Sequence, residues 1–326
     1  MWDREDLSAA GYLAGWKVVR RLPEPIARTL FRWGADYASG NGRGMEGLRR
    51  NLARVVGPEN VTRALVRDSV RSYTRYWMEA FRLPAIHRDA GLHERLLSGL
   101  EGLEHFDASA QSGRGTILAL PHSGNWDMAG VFLVGHYGQF TTVAERLKPA
   151  VLFDAFVDYR ETLGFEVLPL TGGEASPFAR LKEVLEAGGV VCLLAERDLT
   201  RSGVTVDFMG EKANMAAGPA QLALETGAAL HVVHSWFAGE GWGLSVSPEL
   251  EVTDLQETTQ RMADGFASNI RRHPEDWHML QPQWNVDIER RRQARAAENA
   301  RNARHTGPSR EGGASAHRNR MPLLFR

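Results

Sequence analysis

The tract Ala119-Leu120-Pro121-His122-Ser123-Gly124-Asn125-Trp126-Asp127 sets an imidazole and a carboxylate on either side of a break in regular structure. The apolar run Thr116–Leu120 reads as a strand, Pro121 stops its ladder, and a helix begins around Ser123–Asn125. On one continuous helix of ~3.6 residues per turn, His122 and Asp127 would point about 140° apart. They meet only if His122 lies in the loop and Asp127 in the first turn of the helix, and Pro121 and Gly124 supply that break. A histidine is then placed at the carboxyl end of a strand, where open α/β sheets hold their ligands. A carboxylate that fixes its tautomer and stabilises its protonated form completes a general base, with no side-chain nucleophile. A capping Asp beside an unrelated loop histidine is the other reading of this spacing, and the strand–Pro–His–Gly–helix context favours the catalytic one.

Further charged tracts end other strands. Glu196-Arg197-Asp198 follows Val190–Ala195 directly. Alone it reads as a solvated turn; with His122 at a neighbouring strand end, Glu196 can hydrogen-bond the histidine and Arg197 can hold an anionic or phosphate-bearing substrate. Glu145-Arg146 follows Thr141–Ala144, and Arg160 falls late in the next helix. Val206-Asp207-Phe208-Met209-Gly210 precedes Gly218-Pro219, where the proline suits a first helical turn. Cys192 lies inside its strand and reads as core.

The elements that must position these residues are short apolar runs alternating with helices. Strands are expected at Thr116–Leu120, Thr141–Ala144, Glu166–Leu170, Val190–Ala195, Val204–Phe208, Leu230–Trp236 and Leu244–Ser247, with helices near 125–137, 150–163, 177–187, 217–226 and 254–272. That alternation predicts an α/β fold, a central mostly parallel sheet flanked by helices. The first hundred residues read as helical, with an apolar stripe along Val61, Leu65, Val70, Tyr73, Trp77 and Phe81. Leu7–Leu22 and Ile26–Tyr37, hinged at Pro23 and Pro25, mix aromatic and basic residues. An interfacial membrane helix and a helix packed on its own domain with solvated arginines share that pattern.

Composition excludes several classes. The 326 residues, 43% apolar, suffice for a well-buried core, and one cysteine leaves neither a disulfide framework nor a multi-cysteine metal site. A net charge of −1 gives no global signature of nucleic-acid binding. That balance hides a basic tail: residues 289–326 hold ten Arg and three Glu. The tail is poor in apolar residues, and it reads as helical at first and largely disordered beyond. No run reaches the ~18–20 apolar residues of a spanning helix, and the start, Met1-Trp2-Asp3-Arg4-Glu5-Asp6, is acidic where a secretory signal is basic. A globular protein on the cytosolic side is expected, with any membrane contact peripheral. Gly42-Arg43-Gly44-Met45-Glu46-Gly47 spells a dinucleotide fingerprint but follows a helix instead of a strand. No phosphate-binding Gly-rich loop ending in Lys-Ser/Thr and no Gly-x-Ser-x-Gly elbow occurs. His231, His234, His273 and His278 lack metal-ligand spacing, so no metal is expected.

In this order and spacing, the tracts resemble the lysophospholipid-type acyltransferase superfamily, whose first motif is His-x4-Asp. The closer resemblance is to the branch shared by lipid A biosynthesis lauroyl/myristoyl acyltransferases and phosphatidylinositol mannoside acyltransferases. It runs from Gly113-Arg114-Gly115-Thr116-Ile117 through His122–Asp127, Glu196-Arg197-Asp198, Phe208-Met209-Gly210 and Gly218-Pro219 to His273-Pro274-Glu275-Asp276-Trp277 and Gln283-Trp284. Most of residues 60–288 are covered. The lipid A enzymes usually carry an N-terminal spanning helix and a Glu-x-Arg-like third motif; here that helix is missing and Arg197 directly follows Glu196. Both departures fit the mannoside branch.

The resemblance implies an acyltransferase domain over 61–288, after an amphipathic segment 1–60 and before the basic tail 289–326. It implies a peripheral enzyme on the cytoplasmic face of the inner membrane, moving palmitoyl from palmitoyl-CoA to a mannose 6-hydroxyl of a phosphatidylinositol mannoside. His122 would be the base and Asp127 or Glu196 its orienter, with Glu196 the closer match to that role. Backbone N–H groups across Ser123–Trp126 would hold the oxyanion. Glu145, Arg146, Arg160, Arg197 and Asp198 are candidates for binding sugar or phosphate. Acyl-CoA is a co-substrate, and neither cofactor nor nucleic acid is expected. An acyl-carrier-protein donor, another acceptor (lipid A-like or glycerol-phosphate), and a non-catalytic lipid-binding protein of the same fold are the alternatives.

Overall fold

Alternation within the strands decides how the layers stack. The computed structural model describes residues 15–145, 150–171, 176–198 and 202–305. Every residue of β2 (Thr116–Leu120) is buried. Ile117 and Ala119 face one apolar cluster and Leu118 and Leu120 another, because successive strand side chains point to opposite faces. A strand buried on both faces needs helices above and below, and the chain supplies them.

The remaining strands are β1 (Leu100–Glu101), β3 (Phe140–Ala144), β4 (Phe165–Pro169), β5 (Val190–Leu194), β6 (Val204–Phe208), β7 (Glu211–Met215), β8 (Ala229–Ala238) and β9 (Gly241–Val246). Seven of them form one sheet in the order β1-β9-β8-β2-β5-β3-β4. All its pairings are parallel except the β8–β9 hairpin. One face carries α9 (Pro177–Glu186), α10 (Gly218–Thr226) and α11 (Leu255–Arg272), whose Leu181, Leu222 and Phe266 share a cluster with Ile117. On the other face, α6 (Leu103–Gln111) and α7 (Trp126–His136) pack Phe106 and Leu133 on Leu118. The α8 helix (Ala150–Thr162) follows β3. The expected α/β architecture is the observed one.

The expected strands recur, Thr116–Leu120 and Val204–Phe208 with the same ends and the others with ends moved by up to three residues, and β7 and β1 are additions. Glu211–Met215 is nearly devoid of an apolar pattern, so only its pairing with β6 makes it a strand. The turn between them uses Met209 (φ 52°) and Gly210 (φ 89°), the two positive-φ positions of a tight hairpin. The N-terminal region contains a described helical stretch α1 (15–21), then α2 (Glu24–Ala38), α3 (Glu46–Val56), α4 (Arg63–Ile86) and α5 (Leu92–Ser98). Residues 7–14 of the first expected amphipathic segment lie outside the described residues. The α3 and α5 helices fall in the region read as helical but were not individually placed, α6 was not anticipated, and α4 outruns the stripe that ended at Phe81, continuing through Pro84 to Ile86. The fingerprint-like glycines of 42–47 join α2 to α3, with no strand before them. The final helix, α12 (Asn285–His305), starts before the tail expected from 289; the tail beyond 305 is outside the described residues. Among the described residues, no helix is long and apolar enough to cross a membrane.

The α4 helix ties the N-terminal helices to the sheet. Its Val66 and Val70 pack with Leu48 and Leu52 of α3 and Ala35 of α2. Further along, Glu79 is buried at 2% exposure, with Oε1 accepting from Arg75 Nε (2.7 Å) and Oε2 accepting from Asn125 Nδ2 and Trp242 Nε1 (2.7 Å each). A charge so deep is tolerated because every neighbour donates to it. Glu79→Ala leaves Arg75 Nε and two buried N–H groups without their acceptor and should lower the unfolding free energy by about 3–5 kcal/mol, measured by urea denaturation.

Candidate active site

Strand register brings together residues 74 positions apart. Parallel β2 and β5 pair Leu120 with Leu194, so His122 and Glu196 each lie two residues past paired strand ends. Glu196 is fully buried and gives both carboxylate oxygens to His122 Nδ1, at 2.8 and 2.9 Å. Its Oε1 also accepts the His122 backbone N–H at 2.9 Å. With a carboxylate on Nδ1, the proton belongs there and Nε2 keeps its lone pair. Burial pushes the Glu196 carboxyl upward, but the His122 charge and hydrogen bonds outweigh it and hold the pKa below the ordinary value. The backbone carbonyl of Glu196 accepts from Gln283 Nε2, which anchors the end of β5.

Each residue of the loop from His122 to Asn125 is held by a different part of the chain. The His122 carbonyl accepts from His278 N–H (2.7 Å), and the Gly124 N–H donates to the Asp276 carbonyl (2.9 Å). Ser123 forms an isolated antiparallel bridge with Trp277, and its carbonyl accepts from Ser235 Oγ. Asn125 caps α7, accepting from Met128 N–H at 3.2 Å, while Glu79 fixes its amide from α4. Asp276 in turn accepts from Ser72 Oγ (2.6 Å) and the Phe237 N–H (2.9 Å), and burial pushes its carboxyl up to about 6. Burial likewise lowers buried His278, beside Ser72, to about 3. The expected oxyanion amides narrow accordingly: those of Ser123 and Gly124 are committed to the Pro121 and Asp276 carbonyls, leaving Asn125 and Trp126.

Asp127 sits in the first turn of α7, as its spacing requires, and of the two acids considered for His122 it is the one that binds elsewhere. Its carboxylate accepts from Arg160 Nε (2.8 Å) and an Arg160 terminal nitrogen (3.1 Å), and from Tyr76 OH at 3.3 Å. The orienter of His122 is therefore Glu196, and Asp127 forms a second buried pair with Arg160, itself an expected ligand residue. The cause is loop direction: past Pro121 the imidazole turns towards β5, while the helix start carries Asp127 towards α8. Arg197 donates to Gln281 Oε1 at 3.0 Å, and Asp198 accepts the Gly203 N–H at 2.9 Å. Glu145 is exposed at the end of β3. Arg146 lies outside the described residues.

His122, Asp127, Glu145, Arg160, Arg197 and Asp198 all line one cavity of about 810 Å³, a size typical of small-molecule sites. Most of the other lining residues are apolar, running from Trp77, Phe81 and Phe156 down to Leu118, Leu133, Phe140 and Phe165 between the sheet and α7. The arrangement can take one proton from a substrate hydroxyl while a long apolar group lies beside it. Cys192 faces this cavity, and burial raises its thiol well above the ordinary value. His273, Glu275 and Asp276 bring one donor atom each within 4.8 Å of one another, a proximity the sequence spacing did not suggest. Both Asp276 oxygens are already taken by Ser72 and Phe237.

Tyr76, Glu79 and Ser72 escaped the sequence reading. The available signal was an acid and a serine seven residues apart, two helical turns, on the amphipathic α4. Gly124 has φ +53°, and a Cβ there would lie 2.5 Å from the Ser235 carbonyl carbon. Gly124→Ala should therefore cost about 1–3 kcal/mol of stability from backbone strain alone, measured by urea denaturation against Gly34→Ala at an exposed α2 glycine with helical backbone and open space around it.

Sequence relatives identify the family. The family described as bacterial lipid A biosynthesis acyltransferase matches residues 7–286. A Mycolicibacterium smegmatis protein named phosphatidylinositol mannoside acyltransferase is 58% identical over 291 residues, 87% of this chain and 94% of that protein. A Mycobacterium tuberculosis protein of the same name is 56% identical over 291 residues, 87% of this chain and 90% of its own length. The chain belongs to the bacterial lipid A biosynthesis acyltransferase family.

Proposed function

We propose that this protein transfers a palmitoyl chain from palmitoyl-CoA to the 6-hydroxyl of a mannose in a phosphatidylinositol mannoside. The observation that carries the reading is His122, its Nδ1 locked on buried Glu196, at the wall of a largely apolar cavity. The names of the relatives supply the acceptor class.

In the proposed reaction, His122 Nε2 takes the hydroxyl proton as the sugar oxygen attacks the thioester carbonyl. Glu196 balances the imidazolium. The carbonyl oxygen gains negative charge near the Asn125 and Trp126 amides at the start of α7, then the C=O reforms and the C–S bond breaks. The imidazolium proton passes to the departing CoA sulfur, so ester and thiol form and the base is restored. A thioester is already activated, and these steps balance without a metal or cofactor. The acyl chain occupies the cavity beneath α7, while Arg160 and Glu145 border the reacting end.

The N-terminal helices suit a lipid surface. Ile26, Leu30, Trp33 and Tyr37 lie along one side of α2 at 49%, 49%, 69% and 92% exposure. Phe31, on another side of the same helix, packs on Phe81, which also lines the cavity, so α2 lies against the wall of the acyl site with its ridge outward. This supports peripheral binding at the cytoplasmic face of the inner membrane, with the ridge at headgroup level.

Purified protein, palmitoyl-CoA and a panel of glycolipid acceptors, with products read by mass spectrometry, test the reading. A palmitoylated mannoside is the expected product. His122→Ala and Glu196→Gln should each cut kcat by about 10²–10⁴, and near-normal turnover by His122→Ala refutes the assignment. Ile26→Ser with Trp33→Ser should shift the protein from pellet to supernatant in sedimentation with anionic phospholipid vesicles; equal pelleting removes the membrane role of the ridge.

A further inference from the structure

Residues 276–278 run antiparallel to the loop that carries His122. The His278 N–H donates to the His122 carbonyl (2.7 Å), the Gly124 N–H donates to the Asp276 carbonyl (2.9 Å), and the Ser123–Trp277 bridge lies between these two bonds. Trp277 has extended backbone (φ −84°, ψ 111°), so its side chain leaves on the face opposite to those of its two neighbours. It enters the core beside Phe208 and Trp284. Asp276 and His278 turn the other way and meet α4.

Ser72 of α4 bonds both of them. Its Oγ lies 2.6 Å from Asp276 Oδ1 and 2.9 Å from His278 Nε2, and all three side chains are buried. A serine within a helix commonly returns its hydroxyl to the carbonyl four residues back, as Ser69 does to Leu65. Ser72 instead sends its hydroxyl across to the neighbouring segment. Proton counting fixes the direction of both bonds. A hydroxyl has one proton to give, and Ser72 gives it to the Asp276 carboxylate, whose other oxygen accepts the Phe237 N–H. His278 Nε2 must then carry a proton and donate it to Ser72 Oγ, which leaves Nδ1 bare and the buried ring neutral. Donors and acceptors agree along the whole chain from imidazole to hydroxyl to carboxylate.

We propose that Ser72 is a positioning residue for His122: by tying Asp276 to His278 it fixes the segment whose backbone holds the His122 carbonyl and the Gly124 amide. The proposal rests on the reading of His122 as the base and adds to it a residue from the N-terminal helices. Without the Ser72 hydroxyl, Asp276 keeps only the Phe237 amide and the His278 Nε2–H loses its acceptor, so the two side chains are no longer joined. The backbone grip on His122 loosens, and the imidazole shifts against Glu196 and the substrate hydroxyl. Ser72 is not among the residues lining the cavity, so its loss acts on proton transfer and leaves substrate binding alone.

The test uses the full-length protein with palmitoyl-CoA and a phosphatidylinositol mannoside. Ser72→Ala should lower kcat by about ten- to a hundredfold, with KM for both substrates within about twofold of wild type. Ser72→Thr, which keeps the hydroxyl, should recover most of the rate, and the isosteric Ser72→Val should not. Ser72→Ala combined with Asp276→Ala should be slower than Asp276→Ala alone by no more than about threefold, because both act through one connection. Normal kcat in Ser72→Ala overturns the proposal, as does a rise in KM alone, an equal loss in the Thr and Val variants, or losses that multiply in the double variant. If circular dichroism shows Ser72→Ala unfolded, the Thr and Val pair decides. A second readout needs no turnover: the low-field proton resonance of His122 Nδ1–H on Glu196, assigned by its absence from His122→Ala. It should shift in Ser72→Ala and return in Ser72→Thr; a resonance that stays in place overturns the positioning role. If the wild type acylates no mannoside, the proposed function fails, while this resonance still decides the role of Ser72.

Discussion

One hydrogen-bonded pair of carboxylate and imidazole between two strand ends organises this molecule. A fully buried glutamate is tolerable only if its charge is matched, and His122 matches it with Nδ1 and its own backbone N–H. The pair exists because β2 and β5 run parallel in a fixed register. Slipping that register by one residue would turn every β2 side chain to the opposite face and carry the imidazole away from its acid. The core of the sheet and the chemistry of the site are thus one constraint.

The loop bearing His122 has little structure of its own, and its rigidity is borrowed. Distant segments contribute Glu79 and Ser72 from α4, Ser235 from β8, and the stretch from Asp276 to His278. Asp276 is central among them, since its carbonyl holds Gly124 while its carboxylate holds Ser72 and the Phe237 amide. Asp127 and Arg160 form a second pair in the same cavity wall. In surroundings so apolar, two compact pairs concentrate the field on a small polar patch, where a developing charge is felt strongly.

The cavity connects surfaces of different character. Through Phe81 it meets Phe31 of α2, and Arg197, Asp198 and Glu145 give its rim a charged character. A cavity with a largely apolar lining and a polar patch around His122 suits a ligand with a long apolar chain and a polar end.

Much of this was readable in the order of residues. Runs such as Thr116–Leu120 and Val190–Leu194 are apolar throughout because both their faces are covered, and that marks them as parallel strands before any coordinates. Pro121 and Gly124 announce the break that frees His122, and the charged tract after β5 announces Glu196. Strand β7 was hidden because only its partner makes it a strand. Glu79 was hidden because a helical stripe does not show which of its members meets a loop 46 residues away. Spacing along the chain determined that an imidazole and several acids would gather at the carboxyl edge of one sheet. Only the tertiary structure decided that Glu196 takes the histidine and Asp127 takes Arg160, because hydrogen-bond partners follow side-chain direction in space, which strand register and loop path set together.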